Sequence, residues 1–398
     1  MIQLNHTRDV ASPEVAALVA QRSAPMPISI TEITGIVGGG DDARAPGMAL
    51  ALQTAARWRS VRIMVDRLGR MGQLPAATCR ELVHLALVVH DPPTRAITTF
   101  GAAPLLKTVI VMEGRAVLAH LRLPYAQLVA VLLQDTSPCA CLRALAACAS
   151  LQHADITTKY AWDGPGPGPG DSSVSTLAQL QMLSLTFEAN DDSELPDDPS
   201  GGFGALLAHF AFPALKSLKM EWVFWDWVFW DIDPGRLPAL WPAAAFAAFQ
   251  ARSPNIDALS LTGLQVRSDE DFLDILRAAP ALRMLELGPQ GNASKDRVFA
   301  ALVYDAGDAS PPLLPALEEI EWDGNVEAYS ARLFEQFVRS RWWSDDQAPA
   351  DAPVSRLKSV CVPGGRTEMS PGFKDRMEAL KAEGLSLDLD FSEYHLDN

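Results

Sequence analysis

Residues 279–288 read Ala-Pro-Ala-Leu-Arg-Met-Leu-Glu-Leu-Gly, and this stretch carries a pattern that the whole chain repeats. Its three leucines fall at positions i, i+3 and i+5. The last two, Leu285 and Leu287, are two residues apart, so their side chains point to the same face of a short strand. Met284 and Glu286 alternate with them and point to the opposite face. The stretch therefore predicts a turn that leads into a strand with one apolar and one accessible face.

The same spacing occurs eleven times, and successive copies begin 22 to 41 residues apart. A turn and a short strand that recur at such intervals are typical of leucine-rich repeats. The longer gaps leave room for a helix, and strands joined by helical crossovers run parallel. We therefore expect an α/β fold, an irregular leucine-rich-repeat solenoid (horseshoe) with a parallel concave sheet and with helices and loops on the convex side. The copies begin at Trp58, Leu82, Leu106, Leu128, Leu151, Leu180, Leu215, Ile256, Leu282, Leu317 and Leu357.

The positions of the copies predict two regions. Residues 1–57 are expected to form an N-terminal capping segment, and residues 58–398 an array of about eleven units. Within the capping segment, the alternation at residues 25–31 predicts a strand. At the other end of the chain, Leu-Ser-Leu-Asp-Leu at residues 385–389 predicts a strand that closes the array. Four gaps carry apolar residues at helical spacing; they are residues 203–209, 243–250, 271–278 and 331–341.

Charge and cysteine content limit the classes of partner and the compartment. The formal net charge of the 398 residues is −16, which disfavours binding to nucleic acid or to an anionic membrane surface. The five cysteines are odd in number, and several lie in apolar segments, which is typical of a reduced protein. No signal peptide or transmembrane run is evident. We therefore expect an intracellular protein, cytoplasmic or nuclear.

The sequence contains only weak matches to catalytic and ligand-binding patterns. Residues 355–358 match Ser-x-x-Lys, but the match includes a repeat leucine, and residues 35–40 lack the glycine order of a phosphate-binding loop. Cys139 and Cys141 form a Cys-x-Cys pair without a second pair at zinc spacing. We expect no enzyme activity, no cofactor and no metal site.

Residues 222–231 contain the pentapeptide Trp-Val-Phe-Trp-Asp twice in succession. Because the offset of five is odd, the two copies would face opposite sides of one continuous strand. One interpretation is a small duplication with one copy packed and the other displaced. The alternative is an aromatic binding patch around Trp225 and Trp227, because tryptophan is enriched at interaction hot spots.

The concave sheet face is the expected site of any binding function, because its side chains alternate with the buried leucines. The late repeats place several carboxylates there, and these would suit a partner with a basic segment. The opposing interpretation is an ordinary solvated strand face. Together with the two tryptophans, the candidate partner-binding residues are Arg62, His84, His153, Asp155, Lys219, Glu221, Met284, Glu286, Glu319, Glu321 and Asp323.

Several short segments resemble fungal F-box and leucine-rich-repeat proteins. Residues 21–30 resemble an Arg-Ser-Gly…Pro-Leu-Ser-Ile-Ser segment of that family, and residues 56–61 resemble its His-Arg-Trp-Arg-Ser-Val step. Residues 103–106 and 123–128 resemble its Ala-Pro-x-Leu and Leu-Pro-Trp-x-Gln-Leu turns. The resemblance runs from about residue 15 to the end.

The resemblance implies a non-enzymatic protein–protein interaction module, the substrate-recognition part of an SCF-type ubiquitin ligase. In that family an N-terminal F-box binds a Skp-type adaptor, and the repeats recruit the substrate. No F-box is found in this sequence, so an adaptor is expected only if one lies upstream. The alternative is a repeat scaffold or regulatory binding protein unrelated to ubiquitin.

Overall fold

The structure is a computed structural model of the chain. It describes residues 2–4, 22, 26–34, 53–65, 75, 78–89, 95–112, 117–135, 137–158, 174–189, 200–224, 243–263, 266, 268–288, 294–307, 310–322, 329–344, 353–362 and 372–389.

Short strands recur along the chain at the predicted positions, and each of the eleven predicted copies contains one. The strands are β1 (Ile2–Leu4), β2 (Ile28–Thr34), β3 (Trp58–Val65), β4 (His84–Val89), β5 (Thr108–Met112), β6 (Ala130–Gln134), β7 (His153–Thr158), β8 (Ser175–Thr176), β9 (Met182–Ala189), β10 (Phe210–Ala211), β11 (Ser217–Phe224), β12 (Ala258–Thr262), β13 (Met284–Leu287), β14 (Glu319–Trp322), β15 (Ser359–Cys361) and β16 (Ser386–Asp388).

Helices lie between many of these strands, and four of them fall in the gaps predicted to be helical. The helices are α1 (Val117–His120), α2 (Pro138–Ala146), α3 (Ser200–His209), α4 (Ala243–Arg252), α5 (Asp269–Arg277), α6 (Lys295–Leu302), α7 (Ala331–Arg341) and α8 (Phe373–Ala382). Two 3₁₀ turns precede strands β3 and β6, at Ala55–Arg57 and Tyr125–Gln127.

The chain divides into two compact units. The first unit comprises Met1–Gln181 and Leu185–Glu188, and the second comprises Met182–Ser184 and Ala189–Asn398. In the first unit β1 to β7 pair in chain order, each parallel to the next. In the second unit β11 to β16 do the same. This arrangement confirms the α/β leucine-rich-repeat solenoid.

Two strands, β1 and β2, precede residue 58 and are hydrogen-bonded into the sheet of the first unit. The expected strand at residues 25–31 corresponds to β2, and the expected closing strand to β16. The boundary between a capping segment and the array at residues 57 and 58 stays a prediction.

The repeat leucines form the core, because one face of each sheet is covered by helices and turns. Leu282, Leu285 and Leu287 are all completely buried. Helix α5, which lies in one of the predicted helical gaps between strands, is an example of an element that covers this face of the sheet. Ser268 caps it by accepting a hydrogen bond from the Asp271 amide at 3.2 Å, and its apolar side chains are buried under the strands. The core therefore lies between the strands and the helices, and the other sheet face is left open.

Candidate functional site

The open face of each sheet consists of the strand side chains that alternate with the buried ones. In strand β13 Leu285 and Leu287 are buried, whereas Met284 is 42% exposed and Glu286 is half-buried. The same alternation recurs in neighbouring strands because their pairing is in register. Side chains from successive repeats therefore form rows across the strands.

One row of the second unit concentrates negative charge. It runs from Lys219 through Ser260, Glu286 and Glu321 to Cys361, and β16 then adds a further carboxylate, Asp388. We call Glu286, Glu321 and Asp388 the acidic row. No hydrogen bond or ion pair of these three carboxylates occurs among the residues that the structure describes. Glu286 and Glu321 are directly opposite on neighbouring strands, about 5 Å apart at the backbone, and such like charges repel.

The β11 end of the same face is electrically balanced. The ammonium of Lys219 lies 3.0 Å from a carboxylate oxygen of Glu221, two residues along the same strand. Next to this pair the hydroxyl of Ser260 is buried, with no hydrogen-bond partner among the described residues. The excess negative charge of the face therefore lies on β13 to β16.

The residues just before strands β13, β14 and β15 form a ladder, by which we mean a positive, a negative and a positive side chain side by side. Glu318 accepts hydrogen bonds from Arg283 and Lys358, both at 2.7 Å. Burial is the largest influence on the pKa of Glu318 and raises it, but these two hydrogen bonds and cationic charges outweigh burial and hold the pKa below its ordinary value. The charge of Arg283 is thus largely engaged with Glu318, and the acidic row remains uncompensated. Sequence analysis missed this ladder, although each residue stands one position before a strand.

The neighbouring row of the second unit combines an apolar side chain with a carboxylate. Met284 is directly opposite Glu319, and Ser359 and Ser386 continue the row. Glu319 is half-buried, and its charge contributes to raising the pKa of Arg283. The structure therefore brings together Met284, Glu286, Glu319 and Glu321 as predicted neighbours on one face.

The open face of the first unit differs in chemistry. His84 and His153 are exposed and share a row with Thr108 and Ala130. The next row begins at exposed Arg62 and ends at half-buried Asp155.

Between these two charges the row holds only apolar side chains. They are Ala86, Ile110 and Leu132, and the next row adds half-buried Met112 opposite buried Val88. Sequence analysis missed this surface. The signal was present, because residues 85–89, 109–112 and 131–133 are continuous apolar runs, which indicate strands that are apolar on both faces.

Three candidate residues lie outside the described residues. They are Trp225 and Trp227 of the duplicated pentapeptide and Asp323, which follows β14. The first tryptophan of the duplicated segment, Trp222, is described and is buried at the end of β11. The binding role of the other two tryptophans stays a prediction.

In the described part of the chain, no group of three or more histidine, cysteine, aspartate or glutamate side chains is placed to hold a metal ion. None of its helices combines the length and apolar character that crossing a bilayer requires. Burial raises the pKa of the Cys79 thiol to about 11 and that of Cys148 to about 12, which makes both weak nucleophiles.

Comparison with known proteins identifies no family. No protein-family model matches the chain, and no curated protein matches it. Among solved structures, the chain is similar to an internalin (inlF) from Listeria monocytogenes at 11% sequence identity and a TM-score of 0.40. The similarity covers 96% of this chain and 94% of the internalin.

Proposed function

We propose that this chain is a non-enzymatic protein-interaction module whose second unit binds a basic segment of a partner protein through its open sheet face. The observation that carries this proposal is the pair Glu286 and Glu321. They are directly opposite in register, and no cation reaches either within the described residues. A surface that keeps two like charges side by side has a free-energy cost that a bound cation would relieve.

The chemistry of the partner follows from the two rows. Lysine or arginine side chains would meet the acidic row, and charge-assisted hydrogen bonds to carboxylates are stronger than neutral ones. An aliphatic or aromatic side chain would cover Met284, which is among the few large apolar side chains that are exposed among the described residues. Charge complementarity mainly accelerates association, so binding should weaken as salt increases.

Site-specific photo-cross-linking in the native host tests this function. A photoreactive residue placed at position 284 should capture a partner, whereas one placed at Glu378, an exposed position of α8, should not. Capture from position 284 should be lost in the Glu286→Lys/Glu321→Lys double variant, because charge reversal repels a basic segment. Equal capture from both positions, or capture that survives the charge reversal, would contradict the proposal.

A finer form of the proposal is that the chain recruits substrates for an SCF-type ubiquitin ligase. Its support is the ordered resemblance of residues 21–30, 56–61, 103–106 and 123–128 to fungal F-box and leucine-rich-repeat proteins. Co-purification of the full gene product with a Skp-type adaptor would favour it. Absence of the adaptor would favour the alternative of a repeat scaffold or regulatory binding protein unrelated to ubiquitin, with the binding face unchanged.

A further inference from the structure

The open face of the first unit carries a second binding surface, distinct in chemistry from the acidic row. We propose that it binds an amphipathic helix of about 13 residues, with a carboxylate at one end and a lysine or arginine at the other. The surface, which we call the apolar strip, consists of Ala86, Ile110, Met112 and Leu132. This inference concerns other residues in the other unit, so it does not depend on the basic-segment proposal.

The strip is continuous because three strands contribute to it in register. Ala86 is opposite Ile110, and Ile110 is opposite Leu132, which makes one unbroken row across β4, β5 and β6. Met112 lies two residues further along β5, opposite Val88, which is buried. Ile110, Met112 and Leu132 each remain partly exposed. The result is a partly exposed apolar surface with no polar side chain between Arg62 and Asp155 in this row.

The corresponding row of the second unit shows that the repeat itself does not require apolar side chains on this face. There the row reads Lys219, Ser260, Glu286, Glu321 and Cys361. Both units build the same parallel sheet with buried leucines on the covered side. The repeat fold therefore does not need apolar side chains at these positions of the first unit. Exposure of contiguous apolar surface is typical of a binding site.

The charges at the two ends of the row specify the occupant. Arg62 precedes Ala86 on β3, and Asp155 follows Leu132 on β7. Four strand spacings of about 4.8 Å separate these ends, a span of roughly 19 Å. A helix that rises about 1.5 Å per residue covers this span in about 13 residues. Such a helix would place a glutamate beside Arg62 and a lysine beside Asp155 while its apolar stripe covers Ile110 and Leu132.

Synthetic helical peptides of about 14 residues with one shared leucine stripe test the proposal. They differ only at their ends, which carry glutamate and lysine (E–K), glutamine at both ends (Q–Q), or lysine at both ends (K–K). Binding of each dye-labelled peptide to the full chain is measured by fluorescence anisotropy. The E–K peptide should bind about two- to fivefold tighter than the Q–Q peptide, as expected for exposed ion pairs.

Two variants of the protein separate the apolar from the charged contribution. Ile110→Asp should weaken all three peptides about tenfold or more, because it removes an aliphatic contact and buries a charge. Its matched control, Ser359→Asp, places the same charge on the open face of the second unit and should change nothing. In Arg62→Glu both ends of the strip become acidic, so the K–K peptide should become the tightest ligand. Because Arg62 is exposed, this variant should fold normally.

Several outcomes would overturn the proposal. They are equal binding of all three peptides to the native chain, unchanged binding to Ile110→Asp, and no reordering of the peptides by Arg62→Glu. Sedimentation velocity can give one further outcome that would overturn the proposal. If the native chain were a dimer and Ile110→Asp a monomer, the strip would bind a second copy of this chain, and the helix proposal would be wrong. Failure in any of these tests leaves the cross-linking prediction at Met284 unaffected.

Discussion

Arg341 lies at the end of α7 with its side chain completely buried, and its replacement by methionine tests how the late repeats are held together. The guanidinium donates to the carbonyls of Leu302 at 2.8 Å, Leu314 at 2.8 Å and Leu313 at 2.5 Å. Burial lowers the pKa of Arg341 to about 10, so the group remains charged at neutral pH. It joins the end of α6 to the turn that precedes β14.

The expected cost of Arg341→Met follows from those acceptors. The carbonyl of Leu314 also accepts from the Leu317 amide at 3.1 Å, so it stays satisfied. The carbonyls of Leu302 and Leu313 lose the donor that they have among the described residues, at about 1–3 kcal/mol each. Removing a buried charge offsets part of this cost. We therefore expect a net loss of about 2–4 kcal/mol in the free energy of opening this region.

Hydrogen exchange measures this loss locally, which matters because solenoids need not unfold in one step. Amides of α6 and α7 should exchange roughly 30- to 1000-fold faster in Arg341→Met. The matched control is Arg332→Met on the same helix, where the side chain is exposed, and its effect should be within about 0.5 kcal/mol. Equal exchange rates in the two variants would refute the assigned role of the buried arginine.

Three further predictions concern other sites. Gly263→Ala should destabilise the chain by about 1–3 kcal/mol in urea denaturation, because Gly263 has φ +67° and an added Cβ would lie 2.1 Å from the Trp222 carbonyl oxygen. Glu318→Gln should cost about 0.5–1 kcal/mol at pH 7. That difference should be fully present above the unfolded pKa of about 4.3 and disappear as the pH falls through the lower folded value. Cys79 and Cys148 should react with iodoacetamide at pH 8 far more slowly than a free thiol, because burial raises their pKa values to about 11 and about 12.

Each of these predictions has an internal control. Gly307→Ala introduces the same methyl group at an exposed turn and should be nearly neutral, so equal costs would argue against the clash. Glu378→Gln removes an exposed helical carboxylate and should change the stability at pH 7 by less than about 0.5 kcal/mol. Half-buried Cys361 should be labelled before the two buried thiols, and simultaneous labelling of all three would contradict their assigned burial.

Much of the fold was predictable because the repeat uses short-range signals. The Leu-x-Leu pairs mark strands, and the capping serine of α5 marks a helix start, so each element can be recognised within a few residues. The role of Arg341 could not be found this way. Its acceptors Leu302 and Leu314 lie 39 and 27 residues away in the chain, and only the folded packing brings them to the guanidinium.

The candidate site was predictable in composition but not in arrangement. Alternation along β13 and β14 placed Met284, Glu286, Glu319 and Glu321 on the accessible face, and the structure agrees with that placement. The rows across strands depend on which residues pair between neighbouring strands. This register cannot be read from the sequence because the gaps between repeats are unequal. The apolar strip was missed for the same reason. The apolar run at residues 109–112 indicates a strand that is apolar on both faces, but only the register places Ile110 beside Ala86 and Leu132.

The most direct test of the binding account is titration of the full chain with a dye-labelled peptide of about ten residues, in which lysines alternate with serines around one leucine. At about 20 mM salt, Glu286→Gln/Glu321→Gln should bind this peptide several-fold more weakly than the native chain, and the difference should shrink at about 200 mM salt. The matched control, Glu81→Gln/Glu378→Gln, removes the same charge at exposed positions outside the open face. Control and test variants that lose equal affinity would contradict the assignment of the acidic row as the binding site.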